Sequence, residues 1–371
     1  MPKIRVLVVD DSVVVRRMVS DVLSADPQLE VAATAANGKI ALARLTQVNP
    51  DIVILDVEMP EMDGLETLTN IRKSFPSLPV IMYSTVTWRG AESTLEALAR
   101  GAADYVTKPS NVGSAVQAIE TIRSQLIPKI KAFCGRAQGF ELPPDLAVPP
   151  AAKPPQPRLS RSTARVDVVA IGVSTGGPNA LADLLPALPG DFPVPVVIVQ
   201  HMPPVFTRLL AERLAARSQI AVKEGHGGAV LEPGCAWVAP GDYHMIVEAE
   251  ANGAVLRTHQ GPPENSCRPA VDVLFRSVAE AYKPHALAVV MTGMGQDGLR
   301  GCERICELGG QVLAQDAASS VVWGMPGFVA KAGLASKILP LDQLAPEITR
   351  QVLVGRARDS RGLGNGPGVA S

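Results

Sequence analysis

Apolar residues in this chain come in short runs separated by stretches of helical spacing, and the pattern occurs twice. In the first half, Ile4–Val9 and residues 31–35, 52–55, 80–83 and 105–106 are runs of strand length. Segments between them, such as 13–23 and 91–100, have helix length and period. This alternation predicts a five-stranded parallel (βα)5 sheet, covered on both faces, over residues 1–125. Pro143, Pro144, Pro149, Pro150, Pro154, Pro155 and Pro157 then break the pattern, predicting an extended, solvated linker over 126–165.

The alternation resumes at Val166. Residues 166–173, 194–200 and 286–292 read as buried strands, and 207–216, 269–282 and 299–308 as helices. Leu181, Leu184, Leu185 and Leu188 lie at the spacing of one helix face, with Pro178 suited to its first turn. Residues 236–259 read as a hairpin with Asn252-Gly253 at its turn. The expectation for 166–352 is a doubly wound, mostly parallel α/β domain with an antiparallel hairpin. The glycine-rich end, 353–371, is expected to be a disordered tail.

Bulk properties narrow the class. The length of 371 residues suits two or three domains, and 47% hydrophobic against 19% charged residues suits globular ones. A net charge of −1 argues against nucleic-acid binding through bulk electrostatics. No apolar run approaches the roughly 18 residues of a membrane span, so direct membrane insertion is not expected. Cys134, Cys235, Cys267, Cys302 and Cys306 form no C-x-x-C pair, which suits reduced thiols and a cytoplasmic location better than a zinc site.

Candidate chemistry collects at predicted strand ends, where open α/β sheets place their functional groups. Asp10, Asp11 and Asp56 would converge if the first and third strands are neighbours. Three carboxylates at one edge call for a counter-charge, and all-oxygen donors with incomplete enclosure favour Mg²⁺. A phosphoryl group on Asp56 would then lie between the metal and Lys108, with Ser84 or Thr85 able to donate to it. The competing reading makes Asp10 and Asp11 caps for the helix beginning near Ser12.

In the second half Ser174 sits on a glycine-lined strand-to-helix turn that suits a nucleophile, although the same turn can cradle a phosphate. His201 ends the next strand and is a candidate base; His244, just past Pro240-Gly241-Asp242, is its rival. Asp297 follows a third strand and suits either an imidazole orienter or a helix N-cap.

Val8-Val9-Asp10-Asp11-Ser12, Leu55-Asp56-Val57-Glu58-Met59-Pro60 with Asp63-Gly64, and Tyr105-Val106-Thr107-Lys108-Pro109 resemble the response-regulator receiver domain over about residues 1–125. The resemblance implies phosphorylation of Asp56, with Mg²⁺ held by Asp10, Asp11, Asp56 and the Glu58 carbonyl. It also implies a switch involving Ser84, Tyr105 and Lys108, and a cis Lys108-Pro109 bond.

Five further segments run in order: residues 171–178, Gln200-His201-Met202, residues 239–245, Arg268-Pro269-Ala270-Val271-Asp272, and residues 292–298. Together with Gln315-Asp316 and Trp323-Gly324-Met325-Pro326 they are similar to the chemotaxis protein-glutamate methylesterase domain. This implies hydrolysis of glutamate methyl esters on the cytoplasmic domains of chemoreceptors, with methanol released, and deamidation of selected receptor glutamines. The implied roles are Ser174 as nucleophile, His201 as base and Asp297 as orienter, with an oxyanion hole from Thr175, Gly176, Gly177 and Met294. The ester step is expected to need no cofactor, and a chemotaxis-type histidine kinase is the implied phosphodonor. Two alternatives remain on the sequence: an output domain that binds a phosphate or a protein without chemistry, and a transcription factor.

Overall fold

Val6, Val8, Ile52 and Ile54 are almost wholly buried, as strands covered by helices on both faces must be. The computed structural model describes residues 2–108, 119–138, 164–251 and 253–359, in two units, Met1–Pro143 and Pro144–Ser371. In the first, β1 (Ile4–Val9), β2 (Leu29–Ala35), β3 (Ile52–Asp56), β4 (Val80–Ser84) and β5 (Asp104–Thr107) form a sheet of order β2-β1-β3-β4-β5. Every neighbouring pair is parallel. Because β1 and β3 are adjacent, with Val9 opposite Leu55 in register, the residues just beyond them share one sheet edge.

The sequence assigned residues 126–165 to the linker, but the helix Ile127–Gln138 follows a π-turn at Ile122–Leu126. Its cause is apolar spacing: Ile122, Leu126, Ile127, Ile130 and Cys134 join Val6, Ile54 and Tyr83 in one core. The linker prolines and Pro109 lie outside the described residues.

In the second unit, seven strands form a sheet of order β14-β13-β12-β6-β7-β9-β8. They are β6 (Val168–Val173), β7 (Val196–Gln200), β8 (Ala221–Glu224), β9 (Cys235–Val238), β12 (Ala286–Val290), β13 (Gln311–Gln315) and β14 (Lys337–Leu339). All pairings in it are parallel. The hairpin of β10 (His244–Glu250) and β11 (Gly253–His259) is antiparallel, with Asn252 outside the described residues. Residues 236–238 belong to β9 rather than to this hairpin. All four β9 side chains are buried, so the alternation a half-exposed hairpin requires is missing there.

Two ends also differ from expectation. Leu181 and Leu184 lie on the helix Gly177–Leu184, but Leu185 begins a 3-10 turn, Leu185–Ala187, where Pro186 cannot donate to a continuing helix. The predicted disordered tail begins too early, because the helix Leu341–Asp359 runs through residues 353–359. Val352 is fully buried and Arg356 reaches Asp167 at 3.3 Å, which anchors that last stretch. Among the described residues no helix is long and apolar enough to cross a membrane.

Sheet order explains where the second site forms. The chain leaves β6 to one side for β7 and occupies the other side with β12. Such a topological switch point opens a crevice beyond the carboxyl ends of the central strands. Ser174, His201 and the loop bearing Asp297 follow those three strands directly.

Candidate functional site

Val173 of β6 pairs with Gln200 of β7, so the next residues, Ser174 and His201, leave neighbouring strands at the same level. The His201 N–H bonds back to the Val173 carbonyl at 3.3 Å, which ties the two exits together. Gln200 reinforces them: its Nε2 donates to the carbonyls of Ser174 at 3.1 Å and His201 at 3.3 Å. That role for Gln200 is not legible from strand periodicity.

Asp297 Oδ2 lies 2.8 Å from His201 Nε2 and accepts the Val271 N–H at 2.7 Å. Its Oδ1 accepts the N–H groups of Asp272 and Gly298 and the Asn265 amide, at 2.9, 3.0 and 2.9 Å. It is therefore no simple helix cap. Burial would raise its pKa, but the His201 bond and the backbone donors hold it below the ordinary carboxylate value. For His201, burial works downward and is outweighed by the bonds to Asp297 and Cys267, so the imidazole is held above its usual range.

An ionised Asp297 fixes the imidazole tautomer, with the proton on Nε2 and Nδ1 left as the basic nitrogen. Cys267 Sγ lies 3.6 Å from that Nδ1. Among the described residues no hydrogen bond joins Ser174 Oγ to His201. In enzymes without substrate, catalytic hydrogen bonds are often long or poorly aligned. His244, the rival base, has no nitrogen to spare: Nδ1 accepts the Ala270 N–H at 3.3 Å and Nε2 meets the Pro262 carbonyl at 3.0 Å.

The predicted oxyanion donors divide. The Gly177 N–H is used within its own turn, bonding the Ser174 carbonyl at 2.8 Å, and so is lost as a candidate. The N–H groups of Thr175, Gly176 and Met294 donate to no described residue. Gly176 needs its glycine for a φ of 79°. Thr292 Oγ1 braces the turn through the Thr175 carbonyl at 2.9 Å, and Gln315 Oε1 accepts the Thr292 N–H at 2.8 Å.

Gly293 is packed against the nucleophile. A Cβ there would fall 2.9 Å from Ser174 Cβ and 2.4 Å from Met325 Sδ. Gly293→Ala is therefore expected to lower kcat for ester hydrolysis about 10²-fold by displacing Ser174. Kinetics beside a thermal melt would check this; wild-type kcat in the variant would contradict it.

At the other site, Asp10, Asp11 and Asp56 offer carboxylate oxygens within 4.8 Å of one another. Asp10 and Asp56 are buried, and Lys108 Nζ lies 2.8 and 2.7 Å from them. Burial pushes the Asp56 carboxyl up to about 6 against the pull of Lys108. Burial would lower the Lys108 pKa, but the two carboxylates carry it above its ordinary value. Lys108 meets two of these three carboxylates, and three clustered hard oxygen donors are a set that fits Mg²⁺. Ser12, not Asp10 or Asp11, caps the following helix, accepting the Val15 N–H at 3.4 Å.

Glu58 has an exposed side chain, and its N–H reaches Asp56 Oδ1 at 3.4 Å. Ser84 is buried and donates to the Gly90 carbonyl at 3.0 Å rather than towards Asp56. Tyr105 is buried, with Lys129 donating to its carbonyl at 2.8 Å and lying 5.4 Å from its ring centroid. The expected cis bond at Lys108-Pro109 involves a residue outside those described.

Comparisons with known proteins bear on both halves. The family model for the CheB methylesterase matches residues 169–348, and that for the response regulator receiver domain matches residues 6–120. A protein-glutamate methylesterase/protein-glutamine glutaminase of Trichodesmium erythraeum (strain IMS101) is 57% identical, over 95% of this chain and 100% of its own. One of the same name from Nocardioides sp. (strain ATCC BAA-499 / JS614) is 52% identical, over 95% of this chain and 96% of its own. The crystal structure of the Thermotoga maritima CheB methylesterase catalytic domain is 40% identical, over 50% of this chain and 99% of its own, with a TM-score of 0.49.

Proposed function

Because this chain belongs to the protein-glutamate methylesterase/protein-glutamine glutaminase family and carries a receiver domain, we propose that Ser174, His201 and Asp297 hydrolyse glutamate methyl esters on chemoreceptors. The observation that carries this reading is the His201–Asp297 bond at 2.8 Å beside the strand end that bears Ser174. Ser174 Oγ attacks the ester carbonyl while His201 Nδ1 takes its proton. The N–H groups of Thr175, Gly176 and Met294 face the developing oxyanion. The intermediate collapses as His201 returns the proton to the leaving methoxide, so methanol departs and a glutamyl ester of Ser174 remains. Water, deprotonated by the same nitrogen, then releases the receptor glutamate. With a glutamine substrate, ammonia is the leaving group.

Phosphorylation of Asp56 regulates this activity. Asp10, Asp11, Asp56 and the Glu58 carbonyl would hold Mg²⁺, which when bound neutralises charge on the transferred phosphoryl group. Lys108 supplies the other positive partner, and Ser84 and Tyr105 form the switch. A chemotaxis-type histidine kinase is the physiological phosphodonor, and the protein works in the cytoplasm. The relatives give no support to a non-catalytic output domain.

The test of the chemistry uses receptor fragments carrying methylated glutamates or the corresponding glutamines. Methanol from the first and ammonia from the second are expected; release of neither by folded, phosphorylated protein would refute the reading. Asp56→Asn should remove any rise in rate with a small phosphodonor. A tenfold rise needs only about 1.4 kcal/mol of differential interaction, so a rise preserved in the variant would exclude control through this residue.

A further inference from the structure

The loop between β11 and the helix Val271–Tyr282 puts one side-chain amide between two buried carboxylates. Asn265 Nδ2 lies 2.9 Å from Asp272 Oδ2 and 2.9 Å from Asp297 Oδ1. Asp272 and Asp297 are only 1% and 2% exposed. A primary amide carries two N–H donors, and here each serves a different carboxylate.

The loop is built to hold that amide. The Glu264 N–H bonds the Cys267 carbonyl at 3.1 Å, and the Cys267 N–H returns the bond at 2.8 Å. Arg276 grips the Glu264 carboxylate at 2.7 and 2.6 Å. Asn265 itself adopts a φ of 51°, a left-handed conformation that asparagine tolerates better than most residues.

Two carboxylates close enough to share one nitrogen repel each other in a buried site. Burial and, in smaller part, the neighbouring Asp297 push the Asp272 carboxyl up to about 6. Among the described residues its hydrogen-bond donors are the Gly301 N–H, at 2.7 Å, and Asn265, while the charges of Arg276 and Arg300 also favour the carboxylate. Aspartate at 265 would add a third acceptor, and glutamine would be one methylene too long.

We propose that Asn265 is a positioning residue for the reaction, bridging Asp272 and Asp297 so that Asp297 stays aimed at the His201 imidazole. This rests on the roles proposed above for His201 and Asp297, because Asn265 acts only through them. Removing its donor leaves Asp297 a stronger acceptor, which draws the His201 proton more tightly and raises the imidazole pKa. The charged and titratable groups around the bridge include Cys267, Asp272, Glu264, Arg276, Arg300 and Cys302, and all are kept in the variants below.

The experiment compares the full chain with Asn265→Ala and Asn265→Asp, following the His201 imidazole by NMR titration and ester hydrolysis by methanol release. Asn265→Ala should raise the His201 pKa by about half a unit or more. It should also lower kcat about tenfold to a hundredfold with KM unchanged. Asn265→Asp, which adds a negative charge, should raise the pKa further. If Asn265→Ala does not fold, Asn265→Ser supplies the same comparison. An unmoved His201 titration in a folded variant overturns the proposal whatever its activity, as does a loss of kcat that merely follows a lowered melting temperature. A shifted titration in a protein whose wild type releases no methanol would support the bridge and reject the esterase reading instead.

Discussion

Ser174→Ala is expected to reduce methanol release by about 10⁶-fold, the scale seen when a hydrolase of this type loses its nucleophile. Ser174 is the first residue beyond β6, its main chain is fixed by the Gln200 amide at 3.1 Å and by its own N–H to the Thr292 carbonyl at 3.0 Å. Its side chain therefore sits at the switch point of the sheet, beside the histidine that leaves β7. No described serine or threonine near His201 shares this placement: Thr175 is buried and Thr292 is committed to the Thr175 and Val322 carbonyls. Alanine removes only the hydroxyl, so the fold should persist, and phosphorylation of Asp56 should be unaffected. Retention of more than a thousandth of the wild-type rate would mean that another group attacks the ester.

The second large effect is expected for Asp297→Asn, a fall in kcat of about 10⁴-fold. Its carboxylate accepts from His201, Asn265 and the N–H groups of Val271, Asp272 and Gly298. An asparagine must turn its NH₂ towards some of those donors, and the imidazole can lose the tautomer with Nδ1 unprotonated. The pH profile gives an independent sign. A base must be neutral to act, and Asp297 holds the His201 pKa above its ordinary range. Wild-type kcat/KM should therefore climb with pH beyond the usual imidazole range. The rising limb of the variant's residual activity should move to lower pH, since the carboxylate that stabilised the imidazolium is gone. A limb that stays in place would remove Asp297 from the account.

Much of this was legible in the sequence because strand ends are easy to locate and the chemistry sits on them. Asp10, Asp56 and Lys108 follow three short apolar runs of the first sheet, and they meet at 2.7 to 2.8 Å. Ser174, His201 and Asp297 follow three runs of the second. What the sequence hid is what depends on loops. Asn265 and Cys267 reach the histidine–aspartate pair from an irregular segment, where periodicity carries no information. Asp272 lay in a recognised motif, yet nothing in its spacing says that its carboxylate meets Asn265.

Other misreadings have equally local causes. Gly177 looked like an oxyanion donor because it belongs to a glycine-rich turn, but closing that turn consumes its N–H. The helix Ile127–Gln138 was hidden by the proline-rich composition just beyond it, although its buried Ile127, Ile130 and Cys134 carry a helical period. The strand β9 was absorbed into the hairpin because a fully buried run of four residues has no alternation to identify it.

The most direct test of the central claim is methanol release from methylated receptor membranes by the full chain, with and without a small phosphodonor and Mg²⁺. Release should rise with the phosphodonor in the wild type, should not rise in Asp56→Asn, and should be absent in Ser174→Ala. Release that persists in Ser174→Ala, or no release from folded protein with phosphorylated Asp56, would contradict it.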